Sequence, residues 1–251
     1  HNRKVFFMTL ANVHSIETFG SVDGPGLRYI LFLKGCRLRC AFCHNADTWD
    51  LNSDDQRSAD QILDHAERYR SYWGSEGGIT VSGGEPLLQI DFLIELFKKA
   101  KQRNINTCID TAGEPFTKEG EWFTKFEELM HYTDILLVDI KHIDRNRHIR
   151  LTGKQNDNIL EMFQYLSAIN KPIWIRQVLV PGWTDDIEDL KKTRAFIETL
   201  SNVKKIEILP YHNMGAYKWE KLGMKYPLEG VEAPDQESIA LADKVLHGEI
   251  R

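Results

Sequence analysis

Six short, apolar, β-rich segments alternate with stretches of helical periodicity, and this alternation restricts the possible fold more than any other feature. The segments are residues 28–34, 79–82, 105–110, 135–139, 173–180 and 204–209. Between two of them, Leu93, Leu96, Phe97 and Ala100 keep the three- and four-residue spacing that marks one helix face. Repeated strand–helix alternation indicates a parallel sheet with right-handed crossovers.

Several helix starts are also visible. Ser58 followed three residues later by Gln61 predicts a capping box. Asp185 with Glu188 indicates a second helix start, and Asp235 after Pro234 indicates a third.

Polar or glycine-rich residues follow nearly every predicted strand at its carboxyl end. In strand order they are Cys36, Cys40 and Cys43; residues 83–86; Asp110 and Thr111; residues 139–141; and His212. Active sites of parallel α/β folds lie at that end. Six strands are too few for a closed eight-stranded barrel, and both a doubly wound sheet and an open barrel fit the alternation. Because a ring of strands would gather these residues around one site, we predict an α/β fold, a partial, open (β/α)6 barrel of parallel strands.

The chain of 251 residues shows no internal repeat and no Pro/Gly/Ser-rich linker, so we predict one domain over residues 1–251. It does not begin with Met, and the amino end does not resemble a signal peptide. Residues 1–7 are expected to be disordered or foreign to the natural protein, with Met8 as the natural start.

Composition excludes some classes of protein. Lys and Arg number 32 against 37 Asp and Glu, a net charge of −5, which argues against a nucleic-acid partner. The apolar runs are too short to span a membrane. Three of the four cysteines lie within eight residues, unlike a secreted disulfide framework, so we expect a reducing, cytoplasmic setting.

The cysteines at 36, 40 and 43 have the spacing CxxxCxxC, which can wrap three thiolates around one inorganic centre. One interpretation is structural zinc with His44 as a fourth ligand. The other is a [4Fe–4S] cluster with three cysteine ligands and one iron without a protein ligand. The spacing favours iron–sulfur, and zinc stays open. We interpret the fourth cysteine, Cys108, as a small buried apolar side chain.

The segment GGEP at 83–86 directly follows a predicted strand. Its glycines permit a close backbone approach to a ligand, although a plain strand-to-helix turn is the alternative for this segment alone. It matches neither phosphate-loop pattern.

Together, CxxxCxxC with Phe42 before its third cysteine and GGEP after the next strand resemble the radical S-adenosylmethionine (SAM) superfamily. Within it, the chain is similar to the pyruvate formate-lyase activating enzymes. The segments that carry this similarity are 21–28 (SVDGPGLR), 43–45 (CHN), 47–50 (DTWD), 110–113 (DTAG), 139–141 (DIK), 174–176 (WIR), 180–183 (VPGW) and 209–212 (LPYH). Ala112 departs from the common Asn, and no ferredoxin-like cysteine set lies between Cys43 and Gly83.

The resemblance implies an oxidoreductase of anaerobic glucose metabolism that uses a [4Fe–4S] cluster and SAM. One electron splits SAM into methionine and a 5′-deoxyadenosyl radical, which removes a hydrogen atom from one glycine of pyruvate formate-lyase. Flavodoxin or ferredoxin is the implied electron donor. We expect a monomer with no nucleic-acid or membrane partner. A radical SAM enzyme with a small-molecule substrate is the alternative function.

The resemblance also implies residue roles. The implied cluster ligands are Cys36, Cys40 and Cys43. The implied SAM contacts are Phe42, Cys43, His44, Gly83, Gly84, Glu85, Asp139, Ile140, Lys141 and His212. A monovalent cation, Na+ or K+, is implied at Asp110, Thr111, the Leu137 carbonyl and Asp139. Arg176 shares the strand parity of Trp174 and Val178 and is expected to point inward toward SAM or peptide. The 23–26 turn, with Asp23, is expected at the barrel mouth, holding the glycine segment of the partner.

Overall fold

A computed structural model of the chain describes residues 9–250. The strands are β1 (Leu10–Gly20), β2 (Arg28–Leu33), β3 (Asp55–Ser58), β4 (Gly78–Gly83), β5 (Asn106–Thr111), β6 (Ile135–Asp139), β7 (Ile173–Leu179) and β8 (Val203–Pro210). The α-helices are α1 (Ala59–Ala66), α2 (Ile90–Gln102), α3 (Gly120–Tyr132), α4 (Arg145–Thr152), α5 (Asp157–Ala168), α6 (Ile187–Ile197), α7 (Ala216–Lys221) and α8 (Gln236–Leu246).

All eight strands belong to one sheet, in the order β3-β1-β2-β4-β5-β6-β7-β8. The six predicted strands are β2 and β4–β8, and each pairs in parallel with the next. Within the described residues, no ladder joins β8 to β3, so the sheet stays open. The predicted partial barrel of parallel strands is therefore confirmed.

The sequence patterns did not predict β1 and β3. Both are antiparallel additions at one edge, where β1 pairs with β2 on one side and with β3 on the other. Much of β1 is only half-buried, so it lacks the continuous apolar run that identified the inner parallel strands.

Alternation along the strands divides the side chains between two environments. On β4, Ile79 and Val81 belong to the apolar core beneath the helices, whereas Thr80 and Ser82 are buried on the other face. On β7, Ile175 joins that core and Arg176 lines the interior cavity. Successive strand residues point to opposite faces, which is why polar groups gather inside the barrel.

Helix α2 packs its predicted face into the core, where Leu93, Leu96, Phe97 and Ala100 are all buried. The Cys108 side chain is also buried, beside Ile135 and Leu137. Both predictions are confirmed.

Two of the three predicted helix starts are also confirmed. Ser58 and Gln61 form the capping box of α1, and Asp235 accepts from the backbone N–H of Ser238 at the start of α8. The third start is displaced by one residue. Asp186, not Asp185, caps α6 by accepting from the Asp189 N–H.

The turn between β1 and β2 lies at the amino ends of the parallel strands. Because β1 runs antiparallel to β2, its last residue, Gly20, pairs with Arg28 at the start of β2. The Thr80 hydroxyl donates to the carbonyl of Asp23 at 2.7 Å. The expectation that this turn forms the barrel mouth was wrong, since the mouth lies at the carboxyl ends.

The prediction of one domain over residues 1–251 stays a prediction, and the expectation for residues 1–7 and Met8 lies outside the described residues. None of the helices in residues 9–250 combines the length and apolar composition that a membrane crossing requires.

Candidate active site

A cavity of about 500 Å3 opens at the carboxyl ends of the parallel strands. Most of the predicted site residues line it: Asp23, Cys36, Cys40, Phe42, Cys43, His44, Gly83, Gly84, Asp110, Thr111, Asp139, Lys141, Arg176 and His212. Three predicted residues lie outside its lining: Glu85, Leu137 and Ile140, all of which are buried.

Backbone hydrogen bonds hold the cysteine loop against two neighbouring segments. The Cys36 N–H donates to the carbonyl of Trp49 at 3.2 Å, and the Ala41 N–H donates to the carbonyl of Leu151 at the end of α4 at 2.9 Å. The indole Nε1 of Trp219 donates to the carbonyl of Cys43 at 2.9 Å. The loop is thereby anchored along its whole length.

The three loop thiols are free and lie against the same cavity. Burial raises the pKa of all three, that of Cys40 to about 12, and the nearby Lys141 ammonium offsets the rise only in part at Cys40 and Cys43. A bound metal centre supplies the missing positive charge.

This donor set fits a [4Fe–4S] cluster with one cysteine on each of three irons. Within the described residues, no three His, Cys, Asp or Glu side chains are grouped to hold one metal ion. A cluster does not require its ligands to meet at one atom.

The GGEP segment packs directly against the start of the cysteine loop. The Gly84 N–H donates to the carbonyl of Leu33 at 3.0 Å, and the Glu85 N–H donates to the carbonyl of Gly35 at 2.7 Å. Gly83 has a φ of +126°, and a Cβ atom there would lie 2.2 Å from the Leu33 carbonyl oxygen. The glycines are therefore required by the contact between loops, whatever ligand they also meet.

Glu85 is fully buried behind this segment. Its Oε1 accepts from the Leu87 N–H at 3.1 Å and the Thr111 hydroxyl at 2.5 Å. Its Oε2 accepts from the N–H groups of Ala112 at 3.0 Å and Gly113 at 3.1 Å. Burial raises the pKa of this carboxyl to about 7, although these four hydrogen bonds oppose the rise. Glu85 thus joins the loops after β4 and β5.

Four charged side chains cross the inner wall of the cavity. The Lys141 ammonium lies 2.8 Å from Asp139 Oδ2, and Arg176 Nε lies 3.5 Å from Asp139 Oδ1. Arg176 also donates to Asp110, whose other oxygen accepts from the Ser82 hydroxyl at 2.6 Å. Two cations and two carboxylates therefore balance one another.

This balance sets the protonation of Asp139. Burial by itself raises its pKa, but the Lys141 ammonium and the Arg176 guanidinium outweigh burial and lower the pKa below its ordinary value. The pKa of Arg176 is raised, because Asp110 and Asp139 outweigh its own burial. Asp139 and Arg176 therefore both stay charged near neutral pH.

Three of the four predicted cation residues already have side-chain partners. Asp110 and Asp139 pair with Arg176 and Lys141, and the Thr111 hydroxyl donates to Glu85. The Leu137 side chain packs beside Cys108.

Two histidines form one side of the cavity. Their rings stack with centroids 4.1 Å apart, and His44 Nε2 is 2.9 Å from the carbonyl oxygen of His212. Burial lowers the pKa of His44, which favours its neutral ring. Nδ1 of His212 is buried without a hydrogen-bond partner within the described part of the chain.

Asp23 reaches the cavity from the amino end of the barrel. Burial raises its pKa, and the Asp110 carboxylate raises it further. Although its turn is far from the mouth, its carboxyl group belongs to the same interior as Arg176.

Sequence reasoning missed two residues that support this site. Ser82 donates to Asp110, and Trp219 donates to Cys43. Strand parity indicates Ser82, because it shares the inward face with Thr80. No local signal indicates Trp219, which lies 176 residues from Cys43.

The model of the Radical SAM superfamily matches residues 30–196 of the chain. The chain is 52% identical to the pyruvate formate-lyase-activating enzyme of Listeria monocytogenes over 238 residues, which cover 94% of the chain and 96% of that enzyme. It is 49% identical to the enzyme of the same name from Streptococcus mutans, over 94% of the chain and 91% of the relative.

Among solved structures, a domain of pyruvate-formate lyase-activating enzyme from Bacteroides vulgatus superposes with a TM-score of 0.56 at 26% identity. That match covers 68% of the chain and 94% of the domain. The chain belongs to the radical SAM superfamily and, within it, to the pyruvate formate-lyase-activating enzymes.

Proposed function

We propose that this enzyme binds a [4Fe–4S] cluster and SAM and removes a hydrogen atom from one glycine of pyruvate formate-lyase. The observation that carries the proposal is the single cavity that brings three free thiols of one loop together with the Gly83–Gly84 segment. The similarity to activating enzymes along 94% of the chain supports the choice of partner.

The reaction chemistry comes from the cofactors. When bound and reduced, the cluster with SAM supplies one-electron cleavage of the sulfonium carbon–sulfur bond, giving methionine and a 5′-deoxyadenosyl radical that takes the glycine hydrogen. The protein supplies binding, orientation and exclusion of water. No general acid–base pair is needed for hydrogen-atom transfer.

Cys36, Cys40 and Cys43 are the proposed cluster ligands. Their loop holds them through backbone bonds to Trp49 and Leu151, so cluster binding does not have to order a free chain.

The proposed SAM site combines backbone and charge. Gly83 and Gly84 form a surface without side chains beside Cys36. Lys141 and Asp139 provide opposite charges for the carboxylate and ribose side of SAM, and the Lys141 ammonium lies 5.3 Å from the centre of the Phe42 ring. The stacked pair of His44 and His212 provides an apolar face for the adenine end.

We assign Ile140 and Glu85 supporting roles in this proposal. Ile140 donates its N–H to the carbonyl of Arg176 at 2.9 Å, which fixes the residue between Asp139 and Lys141. Glu85 fixes the GGEP segment through four hydrogen bonds.

Arg176 and Asp23 are the proposed contacts to the glycine segment. Both face the cavity interior, and their opposite charges suit a peptide backbone, whose carbonyl and N–H groups are strong acceptors and donors. Asp23 stays a proposed contact, although its turn lies at the amino ends of the strands.

We also propose a monovalent cation, Na+ or K+, at Asp110, Thr111, the Leu137 carbonyl and Asp139. Oxygen donors suit such a hard ion. Because Arg176 and Lys141 hold the carboxylates in their present pairs, the ion must replace part of those contacts. The test is to measure the affinity for SAM in a K+ buffer and in a tetramethylammonium buffer. We expect tighter binding of SAM in K+, and equal affinities would contradict the proposed cation site.

The test is anaerobic reconstitution with iron and sulfide, followed by EPR of the reduced protein with and without SAM. We expect an S = ½ signal that changes when SAM is added. Pyruvate formate-lyase deuterated at the glycine α-carbon is then supplied, and we expect a glycyl radical signal and deuterium in 5′-deoxyadenosine. Deuterium transfer distinguishes hydrogen abstraction from unproductive SAM cleavage.

Three outcomes would contradict the proposal. Stoichiometric zinc with no uptake of iron would indicate the zinc interpretation. A cluster whose EPR signal does not change when SAM is added would contradict the proposed radical chemistry. SAM cleavage without any glycyl radical would point to a small-molecule substrate. A monomeric state, a cytoplasmic location and flavodoxin or ferredoxin as donor stay predictions.

A further inference from the structure

We propose that an acidic one-electron carrier protein docks on a basic face made by the cysteine loop and α4. This basic face consists of Arg37, Arg39, Arg145, Arg150 and Lys154. The inference rests on the proposed function, because a redox cluster at the three cysteines is what gives electron delivery there a purpose.

Charge is distributed unevenly between this face and the rest of the chain. The net charge is −5 overall. Residues 36–40 nevertheless contain two arginines and no acidic residue, and residues 145–154 contain three arginines, one lysine and no acidic residue. An acidic protein that concentrates cations at one place attracts acidic partners to that place.

The two segments form one continuous surface. The Arg39 N–H donates to the carbonyl of Thr152 at 2.7 Å. Gly153 ends α4 in the left-handed conformation, and a Cβ atom on it would lie 3.8 Å from Arg39 Cβ. The end of α4 therefore lies directly beside the loop that carries the cysteines.

Several cations of this region already face acidic groups. Arg145 lies 3.0 Å from Asp157, and Arg37 lies 3.9 Å from Glu114. The neighbouring Arg147 lies 2.5 Å from Asp189 and 3.8 Å from Asp186.

The remaining cations of the face lack a carboxylate partner within residues 9–250. They are Arg39, Arg150 and Lys154. The Arg39 guanidinium donates to the carbonyls of Cys36 and Leu38, so its position is fixed although its charge is not neutralised. Arg150 stacks on the Trp183 ring at 4.5 Å. Three positive charges are thus available to a partner protein, and these contacts hold two of them, Arg39 and Arg150, in place.

An apolar side chain lies among these cations. Ile149 is 43% exposed and borders a depression of about 460 Å3 that Gly153 and Lys154 also line. Protein interfaces commonly place apolar contacts inside a polar rim, and here Glu114, Lys154, Gln155 and Asn158 supply the polar lining.

The position of the face suits electron delivery. Arg37 directly follows Cys36, and Arg39 directly precedes Cys40. Both arginines are exposed, whereas the thiols lie on the cavity side of the loop. A carrier on this face contacts the residues next to Cys36 and Cys40 in the loop, and it leaves the cavity free for SAM and the glycine segment.

The charge makes an acidic carrier the favoured occupant. Complementary charges accelerate encounter, and their effect weakens with added salt. The other occupant to consider is pyruvate formate-lyase itself, and the experiment separates the two.

The test compares two double charge reversals in the reconstituted holoenzyme. Arg150→Glu with Lys154→Glu alters the basic face at two exposed residues without a carboxylate partner. Arg68→Glu with Lys204→Glu is the matched control, because these residues are exposed near the amino ends of β4 and β8 and the net charge changes equally. Oxidised flavodoxin is titrated into each protein by calorimetry at low and high salt. Cluster reduction by flavodoxin hydroquinone and by dithionite is then followed.

For the basic-face variant at low salt, we expect flavodoxin to bind at least about tenfold more weakly and to reduce the cluster at least about tenfold more slowly. Dithionite should reduce the cluster at the same rate in the wild type, the basic-face variant and the control variant. The control variant should bind flavodoxin and be reduced by it as the wild type is. Unchanged flavodoxin binding would overturn the inference. So would equal losses in both variants, or a loss confined to binding of pyruvate formate-lyase. Failure to assemble any cluster would instead contradict the proposed function.

Discussion

A Cβ atom added to Gly84 would lie 2.2 Å from the carbonyl oxygen of Gly35 and 3.1 Å from Cys36 Cβ. The loop after β4 therefore touches the start of the cysteine loop through backbone alone. The next residue, Glu85, donates its N–H to that same Gly35 carbonyl at 2.7 Å. The two loops, which lie about fifty positions apart in the sequence, are therefore joined by direct backbone contact.

We expect Gly84→Ala to push these loops apart. The clashing atom belongs to the backbone, which cannot move aside as a flexible side chain does, so we expect a loss of about 3 kcal/mol in the free energy of unfolding. Iron content and SAM-dependent EPR changes should fall together. Denaturant unfolding and iron analysis provide the measurements.

Gly74→Ala is the matched control. Gly74 has a φ of +59° with no atom within 4 Å of an added Cβ, so only backbone strain of about 1 kcal/mol is expected. Full cluster content in Gly84→Ala would show that the loops tolerate separation.

Cysteine substitutions should divide into two groups. Serine at Cys36, Cys40 or Cys43 should abolish the [4Fe–4S] absorbance, because each removes a proposed thiolate ligand. Cys108→Ala should keep the cluster and SAM cleavage, since Cys108 is buried beside Ile135 and Leu137 away from the cavity lining. We expect it to lose only about 1 kcal/mol in stability. Cluster loss in Cys108→Ala would contradict our set of ligands.

Glu85 should give the protein a specific dependence of stability on pH. Its pKa rises from an ordinary 4.5 to about 7 in the folded protein, chiefly through burial. Between these values the folded chain retains a proton that the unfolded chain has released. The contribution of Glu85 to the free energy of unfolding is therefore complete below pH 4.5 and is lost as pH rises through about 7.

Glu85→Gln removes this titrating group. It also replaces one of the two carboxylate oxygens that accept the four hydrogen bonds with an NH2 group, which cannot accept. We expect the variant to be less stable than wild type, with the difference shrinking by up to about 3 kcal/mol between pH 5 and pH 8. Urea unfolding at several pH values measures that difference. A difference that stays constant between pH 5 and pH 8 would show that the folded carboxyl group is ionised throughout that range.

Arg176 should be important for stability as well as for the site. Arg176→Met leaves Asp110 and Asp139 buried with one fewer cation, so we expect a loss of about 3–5 kcal/mol. Adding Asp110→Asn removes the carboxylate left without its partner and should recover part of that loss. Thermal unfolding of the wild type, the single variant and the double variant measures these differences in stability. Equal stability of the single variant and wild type would mean that Lys141 suffices to balance both acids.

Local sequence determined much of the fold. The six apolar strands, the Ser58 cap and the buried face of α2 follow from patterns that span only a few residues, because strand and helix periodicity are local properties. Residue parity along β7 likewise indicated that Arg176 points inward. The cysteine spacing indicated an inorganic centre, but sequence spacing by itself left iron–sulfur and zinc both open.

Tertiary structure decided the rest. The turn around Asp23 lies below the site because β1 joins the edge of the sheet in the antiparallel direction, and no local residue pattern specifies that pairing. Glu85 joins Thr111, and Trp219 bonds to Cys43, across distances in sequence that no motif covers. Which polar groups meet is determined by packing of the whole chain, because a buried donor or acceptor must find a partner wherever the fold places one.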